Sequence, residues 1–119
     1  MVVWPRRILE RRTHALNQAI RALPRSTRVA MLAAAEAEEL IAGAYTDGRG
    51  RACPMLAAHR RGARDHSHGF PCAWDGFTRA RRPRPATRRE LEILKALLQE
   101  SIEGELAPTP PERDAGVLI

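Results

Sequence analysis

Long apolar runs are missing from this sequence. No stretch of 18 residues is apolar throughout, which excludes a membrane-spanning helix. The opening Met-Val-Val-Trp-Pro-Arg-Arg lacks the apolar stretch of a signal peptide, and cysteine is scarce, with only Cys53 and Cys72. These features predict a cytoplasmic protein with no membrane partner, in which a Cys53–Cys72 disulfide is not expected. Aromatic residues are few: Trp4, Tyr45, Phe70, Trp74 and Phe77. Strand-forming runs of β-branched and aromatic residues are absent, which argues against a sheet-based fold. Lysine is nearly absent as well, Lys95 standing alone against 19 arginines. No loop is built to cradle phosphates, since Gly48-Arg49-Gly50-Arg51 lacks the Lys-Ser/Thr ending that a P-loop requires. No convincing pair of acids appears either. Catalysis and a bound cofactor are therefore not expected.

What is abundant is Ala, Leu, Glu and Arg, a helix-favouring set. The hydrophobic fraction of 44% overstates the core, because 20 of those residues are Ala. Leu, Ile, Val and Phe together number 24, about a fifth of the chain, close to the compositional boundary with disorder. Part of the chain is thus expected to be loop or tail, or a partner to complete the core. At 119 residues one helical domain is predicted over 1–104, followed by a disordered acidic, Pro-rich tail over 105–119.

A first helix is predicted over residues 5–23, with Pro5 at its first position and Pro24 as its stop. Leu9, Leu16, Ala19, Ile20 and Leu23 fall on one face, and Arg7, Arg11, His14, Gln18 and Arg21 on the other. Arg12 intrudes on the apolar side, its stem expected to lie across it. Ser26 or Thr27 should cap a second helix over 28–44, with Val29, Ala33, Ala37, Leu40, Ile41 and Ala44 as a small-residue packing face. A short helix is expected over 54–61 and another from Pro71, carrying Trp74 and Phe77 on one face. Arg82-Pro83-Arg84-Pro85 reads as a stiff extended linker. Thr87 and Glu90 fit a capping box, and Leu91, Leu94, Leu98 and Ile102 then mark a long amphipathic helix ended by Gly104. The fold class is all-α. It is a small bundle of about three long helices plus one or two short ones, around a basic irregular middle over 46–86.

The segment Thr87-Arg88-Arg89-Glu90-Leu91-Glu92-Ile93-Leu94 resembles the opening helix of LuxR-type helix-turn-helix domains. Such a domain needs two further helices, one of them for the DNA groove. Only 15 residues follow Gly104, rich in Pro and acid, so the resemblance does not extend to the domain.

Charge alternates in blocks. Residues 1–28 carry +6, residues 29–48 carry −4, residues 49–89 carry +9 and residues 90–119 carry −5. The third block combines eleven arginines with Gly-rich stretches and three neighbouring aromatics. Arginine grips phosphate bidentately and stacks on bases, and aromatics offer stacking faces. Arg49, Arg51, Arg60, Arg61, Arg64, Arg79, Arg81, Arg82 and Arg84 are therefore the candidate nucleic-acid-binding residues. The spacing of Trp74 and Phe77 also fits a core, and the arginines can act without them. Cys53, His59, His66, His68 and Cys72 lie within 20 residues. They lack the paired spacing of structural zinc sites, and Cys53 and His59 fall on different sides of a helix, so no metal is expected.

These observations predict a non-catalytic accessory or regulatory protein. It binds nucleic acid, or a nucleic-acid-associated protein, through an Arg-rich surface. The alternative is a protein–protein adaptor or small regulatory subunit, packing helix on helix against a helical partner or as a homo-oligomer. In that case Glu36, Glu38 and Glu39 or a partner protein neutralise the arginines.

Overall fold

Pro24 divides the first two helices of the computed structural model, which describes residues 6–64 and 69–106. Helix α1 runs Arg6–Arg21 and α2 runs Arg25–Ala37. From residue 11 onward the two sides of α1 are as the periodicity predicts, and the side chains of Arg7 and Leu9 lie outside the described residues. Leu16, Ile20 and Leu23 are buried, while Arg11, His14, Gln18 and Arg21 are exposed.

Helix α2 departs from expectation at both ends. Pro24 itself takes the N-cap position, its carbonyl accepting Arg28 N–H at 3.1 Å, and neither Ser26 nor Thr27 caps. The buried face holds Thr27, Arg28, Met31, Ala34 and Ala35, whereas Val29 is 41% exposed and Ala37 is exposed. Periodicity misplaces this face because Arg28 belongs to it. Its Nε donates to Leu23 O at 3.1 Å and its Nη1 to Ser101 O at 3.2 Å, so a charged side chain ties the α1–α2 corner to a distant helix. The helix stops at Ala37 rather than continuing to 44. Leu40, Ile41 and Ala42 are consecutively buried, which one helix face cannot achieve and an extended segment covered on both sides can.

That segment is strand β1, Ile41–Ala42, paired antiparallel with β2, Arg84–Pro85. Ala86 N–H donates to Leu40 O at 2.9 Å, and on the other side Ile41 N–H donates to Ala52 O at 3.0 Å. The predicted basic linker is thus an edge strand, where a proline is tolerated. The middle of the chain is correspondingly less irregular than the composition predicts. It also holds α3, Pro54–Arg60, and α4, Gly69–Thr78.

Helix α5 runs Arg88–Leu106. Its capping box forms as predicted: Glu90 N–H donates to Thr87 Oγ1 at 3.1 Å, and Thr87 N–H to Glu90 Oε1 at 2.8 Å. Gly104 does not end the helix, which continues two residues beyond it. The predicted tail therefore begins inside α5, and residues 107–119 lie outside the described residues.

Five helices thus account for most of the described residues, and the strands are minor. Helix α1 packs on α4 and α5, and α2 packs on α3 and α5. Leu94 and Leu98 are fully buried at the centre, with Ile102 at the margin. Phe70, Trp74 and Phe77 form a stacked row in the core, with centroids 6.3 and 6.0 Å apart, and Trp74 Nε1 donates to Ile41 O at 3.1 Å. The row fastens α4 to β1.

Candidate nucleic-acid interface

Two short connections present six of the nine candidate arginines, each held by polar contacts of its own, and Arg60, Arg61 and Arg64 lie at and just after the end of α3. The first is a hairpin-like loop closed by a bridge between Thr46 and Ala52. Asp47 organises it. Its Oδ1 accepts the N–H groups of Arg49 and Arg51, both at 2.9 Å, and its Oδ2 accepts Arg51 Nε at 2.7 Å. Burial raises the Asp47 pKa, but the bonds from Arg49 and Arg51 together outweigh it and hold the carboxyl below its usual range. Gly50, at a φ of 81°, donates back to Asp47 O at 3.2 Å.

This loop consumes part of the predicted site. Arg51 also meets Glu39 at 3.0 Å, Arg60 Nη1 donates to Gly50 O at 2.8 Å, and Arg61 pairs with Glu38 at 3.0 Å. Arg49 is exposed at the tip, and Arg64 is exposed next to residues 65–68, which lie outside the described residues.

The second connection is the turn from α4 to β2, and it is pinned at both ends. Arg79 has a φ of 57°, in the left-handed region, and its N–H donates to Asp75 O at 2.8 Å. Thr78 Oγ1 accepts Ala80 N–H at 3.4 Å. Arg84 closes the far end. Its Nη2 donates to Thr78 O at 2.9 Å, and its guanidinium grips both Glu90 oxygens, at 3.0 and 2.9 Å. That hydrogen-bonded pair raises the Arg84 pKa further.

Gly43 fixes the middle of this turn. A Cβ on Gly43, which has a φ of +89°, would collide with Arg82 O, so only glycine allows this approach. Gly43 N–H in turn donates to Asp75 Oδ1 at 3.2 Å. On this fixed backbone Arg79, Arg81 and Arg82 are all exposed, and none has an acidic partner among the described residues. On α1, burial and then the charge of Arg79 pull the Arg12 pKa below the ordinary value.

Of the nine predicted residues, Arg51, Arg60, Arg61 and Arg84 therefore bond back into the protein, and Arg49, Arg64, Arg79, Arg81 and Arg82 face solvent. The sequence pattern places Arg12 only across an apolar face. Its proximity to Arg79 has no signal in the sequence, because the two are 67 positions apart.

The remaining candidate chemistry is sparse. Phe70, Trp74 and Phe77 are buried, which leaves them no face for a base. A cavity of about 190 Å³ is lined by Ala44, Tyr45, Cys53, Pro71, Cys72 and Asp75. Cys53 caps α3, its sulfur accepting Leu56 N–H at 3.4 Å, and burial pushes its thiol pKa up despite that bond. This is the opposite of an activated nucleophile. Among the described residues no group of three or more His, Cys, Asp or Glu converges to hold a metal, and His66 and His68 lie outside them. No helix among the described residues is long and apolar enough to cross a membrane. No protein-family model, curated protein or solved structure matches the chain.

Proposed function

We propose that the protein is a non-catalytic nucleic-acid-binding accessory protein whose contact surface is the basic turn between α4 and β2. The observation that carries this reading is the display of Arg79, Arg81 and Arg82 on a backbone held by Gly43, Arg84 and Asp75. Like charges on one short turn repel, and a fold that needed only solubility has no reason to fix them there. A rigid turn also loses little conformational freedom when a phosphate backbone docks.

The adaptor reading has one observation in its favour: Glu38 and Glu39 neutralise Arg61 and Arg51 inside the chain, as it expects. Of the two helices it would dock through, α5 buries its Leu94 and Leu98 stripe within the fold, whereas Val29 and Ala37 of the predicted small-residue face of α2 are exposed.

Electrophoretic mobility shifts across a salt series test the proposal. Changing Arg81 and Arg82 together to Gln should weaken binding to B-DNA. It should also flatten the plot of log affinity against log salt by about 1.8, at about 0.9 for each phosphate no longer neutralised. Equal retention by heparin of matched charge, or no change in the double variant, would refute it.

A further inference from the structure

We infer that the basic turn prefers duplex nucleic acid to single strands and grips its backbone without reading bases, an inference that rests on the nucleic-acid reading above. Two observations decide between the polymers. The exposed groups at the turn are guanidiniums, and the three aromatics nearest them in sequence are shut in the core, at 0%, 1% and 3% exposure for Phe70, Trp74 and Phe77. Trp74 is committed further by its bond to Ile41 O.

Single-strand binders draw their affinity from bases stacked on aromatic side chains, each worth roughly five- to 150-fold. That contribution is missing at this turn. What is left is phosphate contact, which favours the polymer with the denser charge. Each contact carries a salt slope of about 0.9 on duplex and about 0.7 on single strands. Three contacts therefore predict slopes of about 2.7 and 2.1 and, with the two affinities taken as equal at about 1 M salt, close to fourfold tighter duplex binding at about 0.1 M salt. One stacked base would reverse that order. Rigidity acts in the same direction, since a fixed set of guanidiniums suits a stiff, regular row of phosphates.

Tyr45, 54% exposed, is the one described aromatic able to stack, and it follows two positions after Gly43, whose backbone approaches the turn at Arg82 O. Trp4 is outside the described residues.

The test is fluorescence anisotropy of the full chain with a duplex and a single strand of equal length, over a salt series. The Arg81→Gln/Arg82→Gln and Tyr45→Ala variants are run beside it, each checked by thermal melting. The expected result is a few-fold duplex preference, a steeper slope on duplex, a sharp reduction of both in the double Arg variant, and no effect of Tyr45→Ala. Equal or tighter binding to the single strand, abolished in Tyr45→Ala, overturns the inference and leaves the nucleic-acid reading standing. Binding to neither polymer, or a double variant that still melts normally and binds like the parent, overturns both.

Discussion

Arg79 occupies a backbone conformation that glycine or asparagine usually fills, because an L side chain there crowds its own carbonyl. The cost is on the order of 1 kcal/mol. Arg79→Gly removes that penalty, so its melting temperature should rise by a few degrees while binding to nucleic acid falls. A lower melting temperature would instead mean that the Arg79 side chain braces the turn. Gly43 tests the same turn from the opposite direction. Gly43→Ala places a methyl group against Arg82 O, a backbone atom that cannot step aside. The expected loss is about 2–3 kcal/mol by denaturant titration, with weaker binding because the turn must shift. A loss under about 0.5 kcal/mol would show that the approach is relaxed at little cost.

Helix α5 is the element most clearly written in the sequence. Its cap, its leucine spacing and its burial are all local, so residues 87–102 suffice to read them. Leu98→Ala should destabilise by about 2–5 kcal/mol, as a fully buried leucine does when truncated. Thr87→Ala should cost about 1 kcal/mol through loss of the cap. Chemical denaturation checks both, and an undiminished Leu98→Ala variant would place that face outside the core. The strands were not legible. Residues 38–44 continue the small-residue pattern of α2, and partners outside that pattern, Ala52 on one side and Arg84 and Pro85, over forty positions away, on the other, draw them out of the helix. The burial of Arg28 has no local signal for a related reason: its carbonyl partners, Leu23 and Ser101, are set by the packing of α2 and α5. The candidate site was legible as a concentration of arginine. Which arginines remain available was not, because Glu38 and Glu39 lie 23 and 12 positions from the residues they neutralise.

At the scale of the whole molecule, a ligand that binds only the folded chain stabilises it by mass action. A duplex present at a hundred times its dissociation constant should add about 2.7 kcal/mol and raise the melting temperature of the parent protein. The Arg81→Gln/Arg82→Gln variant should show no such rise, and an equal rise in both would place the binding surface elsewhere. The edge strand β2 bears on what happens when many copies are crowded together. Crowding of that kind favours fibrous aggregation wherever an open strand offers N–H groups to a neighbour. Here the open edge carries Pro83 and Pro85, which have no N–H to offer, with the Arg84 side chain between them tied to Glu90. Copies brought side by side would therefore meet as separate folded units, with no strand among the described residues ready to be templated.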